Sequence, residues 1–158
     1  DSAQTDFWGD NLWGLGVDHY ATYAARAGQP VYRYLFTRTP PSPTQTLGAY
    51  HSAEIAFVYE SFLPMFDFTE EDVVLAQAMG DYWVQFAKSG DPNLPSRPGW
   101  PTFTADSQRQ MRLGIGSELG ATEVDRWPKF ELLRQHLLGL IEEMRRLRQS
   151  ELMEAVPA

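Results

Sequence analysis

Hydrophobic positions along the chain fall into two rhythms: helical spacing in three long segments and short unbroken runs in two others. From Leu12 to Ala27 the spacing predicts a helix with an aromatic face of Trp13, Tyr20 and Tyr23, weakened at its start by Gly14 and Gly16. Gly28 is placed to end it, with Arg26 in the last turn. Pro30 to Phe36, PVYRYLF, is a run of β-branched and aromatic residues, the pattern of a strand covered on both faces in a parallel sheet. Thr37 to Thr46 then carries Pro40, Pro41 and Pro43, which excludes helix and central strand and predicts a stiff loop.

FTEED opens the plainest helix, with Thr69 as N-cap, Asp72 three residues on, and acidic side chains facing the positive end of the helix dipole. Phe68 and Val73 occupy the two positions of a hydrophobic staple. Leu75, Met79, Tyr82, Trp83 and Phe86 keep helical spacing until Gly90, where GDPN turns the chain; the stripe Tyr82, Trp83, Phe86 reads as core rather than as a cofactor surface. QMRLGIG, residues 110–116, predicts a second strand near a sheet edge. An amphipathic helix at about 126–148 starts between Asp125 and Pro128, with apolar residues at 130, 133, 137, 140, 144 and 147. No repeat and no domain boundary shows in the pattern. Strand, loop, helix, strand, helix is α/β architecture. Two or three strands make a poor parallel sheet, however, so the chain is expected to be part of a larger domain whose other strands it does not supply.

Composition narrows the functional classes. With 43% hydrophobic residues the chain has material for a core. Thirteen basic against twenty-one acidic side chains give a net charge of -8, which argues against nucleic acid and against an anionic membrane surface as partners. The cluster Arg145, Arg146, Arg148 is too short to reverse that. The chain has no cysteine, hence no disulfide, no thiolate nucleophile and no cysteine-based metal site. No segment reaches the apolar length of a membrane span, and the first residues lack a basic-then-apolar signal pattern.

The candidate chemistry centres on LGAYHSAEIAFVY, Leu47 to Tyr59, where His51 stands between small residues, after the proline-rich loop and before an apolar run. Ligands of open α/β sheets gather beyond the carboxyl ends of strands, which is where this loop leads. A lone histidine in a loop is also commonly a surface or satisfied core residue. Glu54 reads equally as a partner of the imidazole, or of a neighbouring group, and as a carboxylate satisfied by backbone donors. His19 and His136 lie on predicted helices with no companion at metal-ligand spacing, so no metal is expected. Ser52, Ser89 and Ser117 all lie outside a G-x-S-x-G context, and GIGSELG lacks phosphate-loop spacing. These residues alone build no enzyme and call for no cofactor.

Four ordered segments carry a resemblance. GAYHSAEIAFVY (Gly48 to Tyr59) resembles the catalytic-histidine segment of the type-B carboxylesterase/cholinesterase-like family, approximately G-x-x-H-x-x-E-x-x-F-V-F. YWVQFAKSGDPN (Tyr82 to Asn93), WPTF (Trp100 to Phe103) and GQPVYRYLF (Gly28 to Phe36) are similar to the family's flanking hallmarks, and the resemblance spans roughly residues 6–135. Tyr59 in place of the usual Phe is a small departure.

The resemblance implies an α/β-hydrolase fold, of which residues 1–158 are the C-terminal segment, with few strands flanked by helices and a sheet incomplete without the upstream part. It also implies a Ser-His-Glu (or Asp) triad and an acyl-enzyme mechanism on a small-molecule ester, with His51 as the histidine and Glu54 supporting it. Chain order in such triads puts nucleophile and acid first. Asp1, Asp6, Asp10 and Asp18 are too close to His51 for the family's acid, so both partners are expected upstream and the chain alone is expected to be inactive. The alternative is a non-catalytic cholinesterase-like module that binds protein, a role that would not require His51 or Glu54. With a strand edge open and a 3-4-3-4-3 seam on the last helix, the isolated chain is expected to pair with the missing part of its fold or with copies of itself.

Overall fold

The computed structural model describes residues 7–124 and 126–154. Asp1, Asp6 and Asp125 lie outside the described residues. The chain divides into two compact units, one formed by residues 24–124 and the other by residues from both ends, up to Tyr23 and from 125 onward. The two parts of the terminal unit are separated by 101 residues of chain, which is why no local change of pattern marks the division.

The central unit holds a three-stranded sheet in the order β1 (Tyr34–Phe36), β2 (Arg109–Leu113), β3 (Gly120–Glu123). β1 pairs parallel with β2, Tyr34 opposite Met111 and Phe36 opposite Leu113. β2 pairs antiparallel with β3, Arg109 opposite Glu123. The parallel pairing agrees with the PVYRYLF pattern, but the strand is shorter and barer than that run predicts. Its first residues bond outside the ladder: the Val31 carbonyl accepts from the Phe103 amide at 2.7 Å, and the Arg33 carbonyl accepts from both the Met111 amide and the Trp100 indole at 2.9 Å. Tyr34 and Leu35 are each 40% exposed, so cover on both faces is not provided within this unit. β2 is central rather than near an edge. The strand beside it, GATE, was not foreseen because alanine is its single apolar side chain, which gives almost no hydrophobic signal. Gly116, at φ +57°, opens the single 3₁₀ turn Gly116–Glu118 that joins the two, so its glycines serve a turn.

α1 (Leu15–Arg26) enters this unit at its C-terminal end. It closes on Gly28 at φ +78°, where the Gly28 and Gln29 amides donate back to Ala25 and Ala24 at 3.0 Å. A one-turn helix, α2 (Ile55–Val58), and the long α3 (Glu70–Ser89) complete the unit. α3 begins as its sequence predicts: the Thr69 amide and hydroxyl donate to the Asp72 carboxylate at 2.8 and 2.9 Å, a capping box, and Gly90 ends the helix at φ +75°. Phe68 packs against Phe57, Phe62 and Phe66, with ring centroids 4.5–5.7 Å away, while Val73 is exposed. That ring cluster, more than the predicted staple, fixes the entry to α3. Leu75, Met79 and Tyr82 of α3 join Phe57, Met111 and Leu113 in one core. Of the stripe expected in that core, Tyr82 is buried, Trp83 half-buried and Phe86 exposed. Trp100 is locked by Asn93, which accepts its amide at 2.7 Å and donates to its carbonyl at 3.1 Å.

In the terminal unit a π-helical turn, Asp10–Gly14, runs into α1, and α4 spans Trp127–Glu154. Trp13, Tyr20 and Tyr23 are exposed; the buried positions are Asp10, Asp18, Ala21 and Thr22. The carboxylates are buried because α4 and the residue before it bring cations to them. Arg126 and Lys129 meet Asp10 at 2.8 and 2.6 Å, and Arg134 meets Asp18 at 2.6 Å. Phe130 lies over Gly14, where an added Cβ would come within 2.7 Å of the ring. The same separation of 116 residues recurs at Asp10–Arg126 and Asp18–Arg134, so the two helices run parallel, side by side. Burial acts to raise the Asp10 pKa, but the hydrogen bonds and charges of Lys129 and Arg126 outweigh it and hold the carboxyl below its ordinary value. Of the predicted seam on α4, Phe130 is buried, whereas Leu137, Leu140, Met144 and Leu147 are exposed.

Candidate active site around His51

The loop that carries His51 leaves the carboxyl end of β1 and is tied down step by step. The Thr37 amide donates to the Leu113 carbonyl at 3.0 Å, extending the ladder by one residue, and its hydroxyl donates to Glu118 at 3.2 Å. Arg38 reaches the buried Asp72 at the start of α3 with two bonds, Nε to Oδ1 at 2.5 Å and Nη2 to Oδ2 at 2.9 Å. The Pro41 carbonyl accepts from the Asp67 amide at 2.8 Å. Gln45 braces the loop from within, its amide nitrogen donating to the carbonyls of Pro40 and Gly48 at 3.2 Å and its oxygen accepting from the Leu47 amide. These bonds replace the ladder that three prolines forbid.

The chain then folds into a tight turn. The Ala53 amide donates to Tyr50 at 3.0 Å and the Ile55 amide to Ser52 at 3.2 Å, so His51 sits inside the turn, with its side chain exposed. Ser52 holds φ +70°, in the left-handed region that a residue with a Cβ enters at a cost of about 1–3 kcal/mol. Gly48, at φ +67°, makes the preceding bend without that cost. Ala53 is buried beneath the turn and Phe57 anchors the helix that follows, its ring edge-on to Phe36 and Phe62 at 5.1 and 5.5 Å. Tyr59, the end of the apolar run, is 75% exposed, because a single helical turn presents only one side to the core.

Glu54 is half-buried at the N-cap of α2, where its backbone carbonyl accepts from the Phe57 and Val58 amides at 3.0 Å. Its carboxylate bears on the Tyr34 phenol, which burial first, and then the Glu54 charge, push above its ordinary pKa. A cleft of about 420 Å³ opens beside the turn, lined by Tyr50, Ser52, Ala53, Ile55, Phe66 and Phe68 among others. His51 is thus next to an apolar recess through both of its chain neighbours.

His19 and His136 are exposed on α1 and α4, and each is read as a surface residue. Ser89 is engaged at the end of α3, its hydroxyl donating to Gln85 and Asp91, and Ser117 lies in the 3₁₀ turn. Among the described residues no group of three or more histidines and carboxylates could hold a metal ion, and no helix is long and apolar enough to cross a membrane. Sequence reasoning missed Arg38 and Gln45. Arg38 was nevertheless the only charged residue between Thr37 and Tyr50, and a lone cation in a stiff loop marks a tether.

Asp72 shows how firm that tether is. Burial acts to raise its pKa, but the Arg38 hydrogen bonds, the Thr69 amide and hydroxyl, and the Arg38 charge together hold it below the ordinary carboxylate range. Arg38 is raised in turn, chiefly by its bond to Asp72.

Comparison with known proteins gives one consistent result. The sequence profile of the carboxylesterase family matches residues 1–128. Carboxylesterase 5A of Felis catus is 35% identical over 135 residues, covering 77% of this chain and 25% of that protein. Acylcarnitine hydrolase of Mus musculus is 34% identical over 138 residues, 79% of this chain and 24% of its own. Carboxylesterase 5A of Homo sapiens is 30% identical over 135 residues, 77% and 24%. The chain spans about a quarter of the length of these curated relatives.

Proposed function

The chain belongs to the carboxylesterase family, whose fold is the α/β-hydrolase, and from that premise we propose that it forms the histidine-bearing C-terminal part of a serine carboxylesterase. The observation that carries this reading is the placement of His51: an exposed imidazole on a pinned turn, followed by a left-handed Ser52, at the end of a braced loop that leaves a parallel strand. Backbone strain held beside a titratable side chain is characteristic of catalytic turns. The partial sheet, with β1 at its edge, supports the same reading.

In this proposal the nucleophilic serine, the acid and the oxyanion donors come from polypeptide outside these 158 residues, in the chain order serine, acid, histidine. His51 takes the serine proton as the oxygen attacks the ester carbonyl. It returns that proton to the leaving alcohol and then acts as base again for the water that releases the acid. The partner carboxylate fixes the imidazole tautomer and stabilises the imidazolium. Glu54 supports the turn by starting α2, and the apolar cleft beside Tyr50 and Ser52 accommodates hydrocarbon of the ester.

The test is kinetic. In the full-length enzyme, His51→Ala is expected to lower kcat on a p-nitrophenyl ester by about 10⁴-fold or more, since triad members act as a unit, with folding unchanged. The 158-residue chain by itself is expected to hydrolyse the ester no faster than free imidazole. Near-normal turnover by His51→Ala would remove His51 from the mechanism and favour a protein-binding role for the module.

A further inference from the structure

Fourteen residues separate the end of β1 from His51, and none of them is in a helix or strand. A loop of that length adds conformational freedom to whatever it carries, while acyl transfer needs its base placed to within a fraction of an ångström. Four attachments hold this loop: Thr37 on the ladder, Arg38 on α3, Pro41 on Asp67, and the Gln45 brace. Pro41 makes one neutral bond, the Gln45 brace lies within the loop itself, and Thr37 adds to its ladder bond only a 3.2 Å hydroxyl bond to the exposed Glu118. Arg38 is different. Its guanidinium meets a fully buried carboxylate with two parallel bonds, the geometry that fixes direction as well as distance. Asp72 also completes the capping box of α3, the longest helix of the central unit and the one that supplies most of its core. The arginine therefore references the His51 loop to the rigid body of that unit.

We propose that Arg38, through Asp72, is a positioning residue for His51, setting where the imidazole sits rather than contributing to fold stability alone. This rests on His51 being the catalytic base. Removing the arginine leaves Asp72 with both Thr69 bonds and the helix N-terminus, so the helix cap survives while the loop loses its charged anchor. Lysine cannot replace it fully, because a point charge cannot make the two-pronged contact.

The experiment measures kcat and KM per titrated active site in the full-length enzyme for Arg38→Gln, Arg38→Lys, Asp72→Asn, the double variant, Thr69→Val and His51→Ala. Arg38→Gln is expected to lower kcat by about 10–100-fold with KM within about twofold, the scale of a misplaced catalytic group. Arg38→Lys should fall between it and wild type. Asp72→Asn and the double variant should lose no more kcat than Arg38→Gln, since the same Arg38–Asp72 link is lost in each case, while the weakened Thr69 cap lowers their melting temperature further. Thr69→Val, which weakens the cap without touching the arginine, should lower the melting temperature and leave kcat unchanged. A normal kcat in Arg38→Gln alongside an inactive His51→Ala would overturn the positioning role alone. Equal losses of kcat in Thr69→Val and Arg38→Gln would reduce the pair to general stability and overturn it too. An active His51→Ala would overturn the reading beneath it.

Discussion

Phe57→Ala isolates the anchor beneath the candidate site. The ring is fully buried six residues after His51 and meets Phe36, Phe62 and Phe68 edge-on at 5.1, 5.5 and 5.7 Å. Truncation removes the transfer free energy of the side chain and leaves a cavity that three other rings cannot collapse into, which costs about 3–5 kcal/mol. Phe57→Leu keeps most of the volume but loses the ring edges, for about 1–2 kcal/mol. Tyr59→Ala, two residues on and largely exposed, should stay within about 0.5 kcal/mol. Urea denaturation followed by tryptophan fluorescence measures all three. Trp83 and Trp100 both belong to the central unit and report on it. The midpoint should move in the order Ala, Leu, Tyr59→Ala at constant m-value. A Phe57→Ala cost below about 1 kcal/mol at unchanged m would mean that the segment after His51 is not anchored through this ring. A cost for Tyr59→Ala equal to that of Phe57→Ala would reverse which side of α2 faces the core.

Two further expectations follow from named contacts. Asp10 and Asp72 both have folded-state pKa values below their unfolded ones, so each contributes stability that is fully present above about pH 4 and is lost as pH falls through the lowered value. Melting temperatures should drop on that acid limb and the drop should shrink in Arg38→Gln; an unchanged limb would mean the pair contributes nothing. Asn93→Ala should cost about 1–2 kcal/mol, because the amide and carbonyl of the buried Trp100 each lose a part-buried hydrogen bond, and a near-neutral midpoint would show that water replaces both.

What was legible in the sequence was local. Thr69, Asp72, Gly90 and Gly28 announce helix ends because a cap is written within four residues. The parallel habit of β1 was likewise carried by an apolar run. The misreadings came from pairings that cross the chain. Arg38 and Asp72 are 34 residues apart, and Asp10 and Asp18 find Arg126 and Arg134 116 residues away, so nothing local to these aspartates shows that they are buried. β3 was invisible because β2 supplies the hydrophobic side of that pairing. At the site, the position of His51 was legible from its motif. The left-handed Ser52 was not, since serine does not announce that conformation as glycine does. Glu54 was left open by the sequence, and its carboxylate bears on Tyr34.

The parallel pairing of α1 with α4 also sets an order of events during synthesis. Closing a chain over 116 residues costs about 4 kcal/mol of loop entropy if nothing between the ends is structured. Once residues 24–124 have folded, most of that freedom is already gone, and the terminal unit closes late and fast. Until Arg134 emerges from the ribosome, Asp18 lacks that cation, and the helix bearing it cannot reach its final packing. Between its own synthesis and that of Arg134, α1 is therefore exposed to chaperones and proteases alike.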